Sequence, residues 1–124
     1  NMQVGDADAD YQNPVPTEET IDGWVSWGKT LNSASDTPME SAPGAGSALI
    51  IKDLQIQQGA ATPTAQTVAV KIGGAIRGYI RLSDNDGAGA SLKIIYGADN
   101  ANFSLDSDQA QLCTVSYSVK TVTL

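Results

Sequence analysis

Residues 66–83, QTVAVKIGGAIRGYIRLS, decide the fold class of this chain. Apolar and polar side chains alternate through residues 66–72, the period of a strand with one buried face. The pair Gly73-Gly74 then supplies the positive φ angles of a tight hairpin turn, and a second alternating run follows over residues 75–83. The stretch therefore predicts two antiparallel strands joined by a two-residue turn. The side chains predicted to face the core are Val68, Val70, Ile72, Ile76, Ile80 and Leu82.

Further strand patterns lie on both sides of this hairpin. They cover residues 48–57, 91–97, 102–105 and 112–124. Their predicted inward side chains are Ile50, Leu54 and Ile56, then Leu92, Ile94 and Tyr96, then Val115, Tyr117 and Val119. Short strands separated by Gly, Pro and Asp turns, with no amphipathic helix, predict an all-β, antiparallel β-sandwich. A jelly-roll-like sandwich is the leading form, and an immunoglobulin-like sandwich is the alternative. Residues 32–47, rich in Ser, Pro, Gly and Ala, predict a long loop.

The N-terminal part of the chain is strongly acidic. The first 40 residues hold eight of the 14 acidic residues and one basic residue, whereas residues 41–124 hold six of each and are neutral. Residues 1–16, NMQVGDADADYQNPVP, combine alternating aspartates with two prolines and few apolar side chains. This composition predicts an extended acidic N-terminal arm at residues 1–16, followed by a single β-sandwich domain at residues 17–124.

The formal net charge of −7 restricts the choice of partners. An acidic arm repels phosphate, so we expect no direct nucleic acid binding and no attraction to an anionic membrane surface. A neutral or basic protein surface fits better, although the acidic residues also serve solubility. The sequence has no apolar run long enough for a membrane span, and no signal peptide is expected at its start.

The composition excludes several kinds of chemistry. The chain has no histidine and one cysteine, which excludes His-dependent nucleophile systems, His-ligated metals and an internal disulfide. The alternating aspartates of residues 6–10 and the turn at residues 83–87 resemble calcium loops only weakly, because neither has the required glutamate. Cys113 lies in a strand pattern and is predicted to be a small buried apolar residue. We therefore expect no enzyme, no catalytic or metal site and no cofactor.

Aromatic and basic side chains are the candidates for contact with other proteins. They are Tyr11, Trp24, Trp27, Arg77 and Arg81. The two tryptophans are three positions apart, so they face opposite sides of a strand or lie together on a turn, and such anchors dominate interface energetics. Arg77 and Arg81 are predicted to share a strand face, where they would bind an acidic partner such as the arm of a neighbouring copy. An alternative use of the aromatic residues is a platform for sugar rings.

Residues 49–74, LIIKDLQIQQGAATPTAQTVAVKIGG, and the short strands after them resemble the small β-sandwich proteins of virus and bacteriophage particles. That group includes capsid decoration (cement) proteins, which often form trimers, and receptor-binding fibre tips. The resemblance implies a non-enzymatic virion structural protein on a capsid surface. Its partners would be copies of itself and the major capsid protein of a phage head. The alternative is a receptor-binding or carbohydrate-binding module.

Overall fold

The computed structural model describes residues 19–21, 23–85 and 89–124. These residues form nine β-strands and no helix. The strands are β1 (Glu19–Ile21), β2 (Trp24–Leu31), β3 (Asp36–Glu40), β4 (Ser47–Gln58), β5 (Gln66–Ile72), β6 (Ala75–Leu82), β7 (Gly89–Tyr96), β8 (Phe103–Ser107) and β9 (Cys113–Thr123). The predicted acidic arm at residues 1–16 lies outside the described residues.

The strands build two antiparallel sheets that pack face to face. The first sheet has the order β1-β2-β9-β4-β7 and the second has the order β3-β8-β5-β6. Apart from β1, the strands pair from the outside of the sequence inwards: β2 with β9, β3 with β8, β4 with β7 and β5 with β6. This nested order is that of one long hairpin wrapped into a sandwich, which is the jelly roll. The jelly-roll prediction is therefore confirmed over its immunoglobulin-like alternative.

The hydrophobic core lies between the two sheets. Val68, Val70 and Ile72 point into it from β5, as the alternation of residues 66–72 predicts. The rings of Phe103 and Tyr117 meet edge to face with their centroids 5.3 Å apart, a favourable arrangement for two aromatic rings. The inward positions predicted for β9 are confirmed, since Val115, Tyr117 and Val119 are all buried.

Two β-bulges shift the side-chain phase of the predicted strands. In β4 an extra residue, Asp53, lies in the left-handed region with a φ of 56°, and the register with β9 shifts there. In β6 the register shifts at Arg77, because Val70 lies opposite Gly78 while Lys71 lies opposite Ile76. On one side of each bulge, the side chains that a regular alternation would point into the core therefore point outward, and the reverse.

The predicted inward side chains beside these bulges are therefore wrong. Ile51 is buried instead of Ile50, and Ile76 is 51% exposed. Strand β7 follows the phase of β4, because Lys52 lies opposite Ile94 and Leu54 opposite Leu92. Consequently Ile95 is buried while Ile94 and Tyr96, both predicted to be inward, are exposed.

Strand β3 interrupts the loop predicted for residues 32–47. It pairs with β8 as the edge strand of the second sheet, with Pro38 opposite Ser104. Proline is tolerated on an edge strand because one side of the backbone needs no partner. The prediction of a loop is therefore wrong at Asp36–Glu40, where a composition typical of loops forms a strand.

Candidate functional site

The two tryptophans of β2 lie on opposite sides of the first sheet. Trp27 lies opposite Tyr117 of β9 and packs against the core. Trp24 lies on the outer side, where the ammonium groups of Lys52 and Lys120 stand 4.2 and 5.8 Å from its ring. The strand alternative is therefore the correct one, and the tryptophans form no joint aromatic platform.

Trp27 belongs to a half-buried polar cluster at the β2–β3 side of the sandwich. The ammonium of Lys29 lies 4.7 Å from the Trp27 ring and 3.3 Å from a carboxylate oxygen of Glu40. It also donates a hydrogen bond to the Met39 carbonyl. The Tyr117 hydroxyl donates to the same Glu40 oxygen. Burial, and then the hydrogen bond and charge of Glu40, raise the pKa of Tyr117. The charged groups of Lys29 and Glu40 are paired within this cluster, so we infer that the cluster stabilises the fold.

Cys113 is fully buried, as predicted, beneath a network of glutamine side chains. Its thiol lies 3.1 Å from the Gln66 amide oxygen. The Gln111 amide donates to the side-chain oxygens of Gln58 and Gln66, at 2.9 and 2.8 Å. Burial raises the pKa of the Cys113 thiol, and the hydrogen bond with Gln66 lowers it by less. A buried thiol with a raised pKa is a poor nucleophile.

Arg77 and Arg81 do not share a strand face, contrary to the prediction. Arg81 lies opposite Thr67 on the outer side of the second sheet, with its guanidinium 5.1 Å from the Tyr79 ring. Arg77 is the extra residue of the β6 bulge, and it reaches across to β7, where its Nη1 donates to the Tyr96 carbonyl at 2.7 Å. The bulge therefore turns Arg77 towards the seam between the two sheets.

Exposed apolar side chains lie on both sides of this seam, where β6 and β7 are the edge strands of their sheets. Ile76 lies on the outer face of the second sheet, opposite Lys71, and Ile94 and Tyr96 lie on the outer face of the first sheet. Ile76 of β6 is 51% exposed, and on β7 Ile94 is 47% and Tyr96 62% exposed. We call these three residues the seam patch. A groove of about 340 Å³ runs beside it, lined by Arg77 and residues of β7 from Leu92 to Tyr96.

The remaining candidates contribute no further site. Tyr11 lies outside the described residues, so its predicted contact role stays a prediction. Within the part of the chain that the structure describes, no three Asp, Glu or Cys side chains converge on a metal-sized site. Over the same residues, no helix is long and apolar enough to cross a membrane.

Comparison with known proteins adds no family. No protein-family model matches the sequence, and no curated protein matches it significantly.

Proposed function

We propose that this protein is a non-enzymatic structural subunit of a virus particle, namely a capsid decoration protein that stabilises a phage head through contacts between subunits. The observation that carries the proposal is the seam patch. Three large apolar side chains, each about half exposed, flank the two free sheet edges of the jelly roll, and Tyr79, 49% exposed, lies further along β6. Surfaces of this kind are typical of sites that another protein covers.

The free energy available from covering the seam patch is substantial. Full burial of an exposed Ile or Tyr side chain contributes about 1.5–3 kcal/mol, and the patch offers half of that at each of three positions. The free edges of β6 and β7 also present unpaired backbone groups, which a neighbouring strand can satisfy. A second copy of the chain, within a trimer, is the occupant that we propose.

Charge favours the same arrangement. Arg77 and Lys93 line the groove beside the seam patch, and Arg81 is exposed further along β6. The first 40 residues of the chain carry a large excess of acid. The acidic segment of a neighbouring copy therefore complements this basic side of the domain. The same attraction extends to basic surfaces of the major capsid protein.

Measurement of the oligomer mass by light scattering tests the contact surface. We expect the full chain to be a trimer, and the double variant Ile94→Asp/Tyr96→Asp to be a monomer, because two carboxylates would be buried without partners. Leu124→Asp is the matched control, since Leu124 is 70% exposed and lies outside the seam patch. A monomeric full chain, or a double variant that remains trimeric, would contradict the proposed contact.

The virion assignment needs a separate measurement. Purified particles from the source virus are analysed by quantitative mass spectrometry and labelled with an antibody against the folded domain. We expect many copies per particle, accessible on the outside of the head. Absence of the chain from purified particles would contradict the assignment and leave the oligomer result intact.

A further inference from the structure

The outer side of the first sheet carries a shallow groove that the assembly role does not use. Its volume is about 460 Å³, within the range of ordinary small-ligand sites. It lies over the second half of β2, the end of β4 and the start of β9, and it shares no lining residue with the seam patch. Its outward-facing lining residues are Gly28, Thr30, Gln55, Gln57, Thr114 and Ser116.

The floor of the groove is open at Gly28. A Cβ atom built there meets no heavy atom within 4 Å, and its cross-strand neighbour on β9 is the small Ser116. The longer Gln55 lies next along the same row, on β4. Along the row Gln55, Ser116, Gly28 the side chains become shorter, from an amide to a hydroxymethyl group to none. The outer surface of the sheet is therefore concave at Gly28.

Among the described residues, no charged side chain faces into the groove. The backbone of Lys29 contributes to its lining, but Lys29 lies opposite the buried Val115, and its ammonium is held by Glu40 on the inner side. The other side chains that line the groove are hydroxyls, amides and Val115. A charged ligand would gain no opposite charge here, so the groove suits an uncharged ligand that forms hydrogen bonds.

Several of these polar side chains have no protein partner. Within the described residues, Thr30, Gln55, Thr114 and Ser116 form no side-chain hydrogen bond. One row further along the same sheet, by contrast, the hydroxyls of Ser26 and Ser118 lie 3.0 Å apart and bond to each other. Polar groups converging on one concavity with free capacity are the usual means of orienting a ligand.

We infer that this groove, which we call the outer groove, binds a neutral oligosaccharide. Sugar hydroxyls both donate and accept, which matches the mixed donors and acceptors of threonine, serine and glutamine. An extended peptide is a poorer match, because β9 and β4 are interior strands with their backbone groups already paired and offer no edge for strand addition. The inference goes beyond the proposed assembly function and rests on different residues.

Titration calorimetry and backbone NMR of the full chain test this inference. The probes are maltopentaose, cellopentaose, mannopentaose and chitopentaose, with pentagalacturonate as the charged comparator. We expect at least one neutral probe to bind and to shift amide signals of β2, β9 and β4, and we expect the charged comparator to bind more weakly. Gly28→Leu should weaken binding at least about tenfold, which corresponds to 1.4 kcal/mol, because its Cβ meets no heavy atom within 4 Å and the rest of the side chain would occupy the open floor of the groove.

Thr123→Leu is the matched control, because it adds the same side chain at an exposed position of β9 outside the groove. It should bind the sugar like the unmodified chain, and thermal melting should show that both variants are folded. Three results would overturn the inference: no neutral probe binds, binding maps elsewhere, or Gly28→Leu binds unchanged. Dissociation of the trimer by Gly28→Leu would also overturn it, because the outer groove would then be a contact between copies.

Discussion

At the scale of single residues, the cluster around Tyr117 shows what alternation in a sequence misses. Tyr117 is predicted to face the core, and it does. Lys29 also faces inward, opposite Val115, although its charge favours an outward position. The inward ammonium is stabilised by Glu40, which lies on β3, the strand hidden in a loop-like stretch. Because Glu40 belongs to a strand that the sequence does not predict, the ion pair of Lys29 with Glu40 could not be predicted from the sequence.

Replacing Tyr117 with phenylalanine should alter the alkaline limit of stability. The folded protein holds the pKa of Tyr117 above its ordinary value near 10, chiefly through burial. The unfolded chain therefore loses this proton first, and the stability from the protonated tyrosine, complete below pH 10, is lost as the pH rises further. By pH 11 the unmodified chain should lose about 1.4 kcal/mol more than Tyr117→Phe, relative to each protein at pH 8.

Urea unfolding at pH 8 and pH 11 measures this difference. Tyr79→Phe is the control, since Tyr79 is 49% exposed, lies outside the seam patch and makes no side-chain hydrogen bond among the described residues. Equal losses in the unmodified chain and in Tyr117→Phe would show that Tyr117 ionises equally easily in both states.

At the scale of strands, bulges separate the correct predictions from the wrong ones. Strand β5 and the core-facing residues of β9 keep the simple alternation of the sequence, and their inward side chains are predicted correctly. Errors at Ile50, Ile76 and Ile94 follow from the extra residues at Asp53 and Arg77. A bulge leaves no strong signature in the residues themselves, since either aspartate or arginine is also ordinary on a regular strand. The register with neighbouring strands fixes its position.

The left-handed φ of 56° at Asp53 leads to a test of the β4 bulge. A left-handed backbone conformation destabilises an L-residue by about 1–2 kcal/mol, most of all a β-branched one. Glycine, which has no Cβ, adopts it without this cost. We expect Asp53→Val to destabilise the protein by about 1–2 kcal/mol and Asp53→Gly to be neutral or mildly stabilising. Equilibrium unfolding in urea measures both changes.

Gln55 supplies the matched comparison on the same strand. It is exposed like Asp53, pairs regularly with Ser91 of β7, and has no positive φ. The order should therefore reverse, with Gln55→Val more stable than Gln55→Gly by about 1 kcal/mol. The same order at both positions would show that the bulge does not require the left-handed conformation in solution.

At the scale of the whole molecule, the sequence predicts the sandwich architecture better than it predicts which side chains are exposed for contact with other proteins. Short strands and tight turns predict a β-sandwich, and the nested strand order seen in the structure identifies it as a jelly roll rather than an immunoglobulin-like sandwich. The seam patch escapes prediction because two of its three residues, Ile94 and Tyr96, share the apolar spacing of a core face. Their exposure depends on the phase of β4, a strand more than 35 positions earlier in the chain.

Deleting residues 1–16 should separate folding from assembly. Every member of the core of the described residues lies between Leu31 and Val119, so the melting temperature of the deleted chain should change by less than about 2 °C. Removal of three aspartates from the acidic segment should weaken binding to the capsid, and the remaining binding should depend less on salt.

The control for this deletion replaces Asp6, Asp8 and Asp10 by asparagine in the full-length chain. If charge drives the attachment, this variant loses the salt dependence just as the deletion does, although all 124 residues are present. Cosedimentation with capsids at low and high salt measures both. Undiminished capsid binding by the deleted chain would remove the acidic segment from the mechanism of attachment. The seam patch and the neutral body would then have to supply the contact by apolar burial, which salt does not screen.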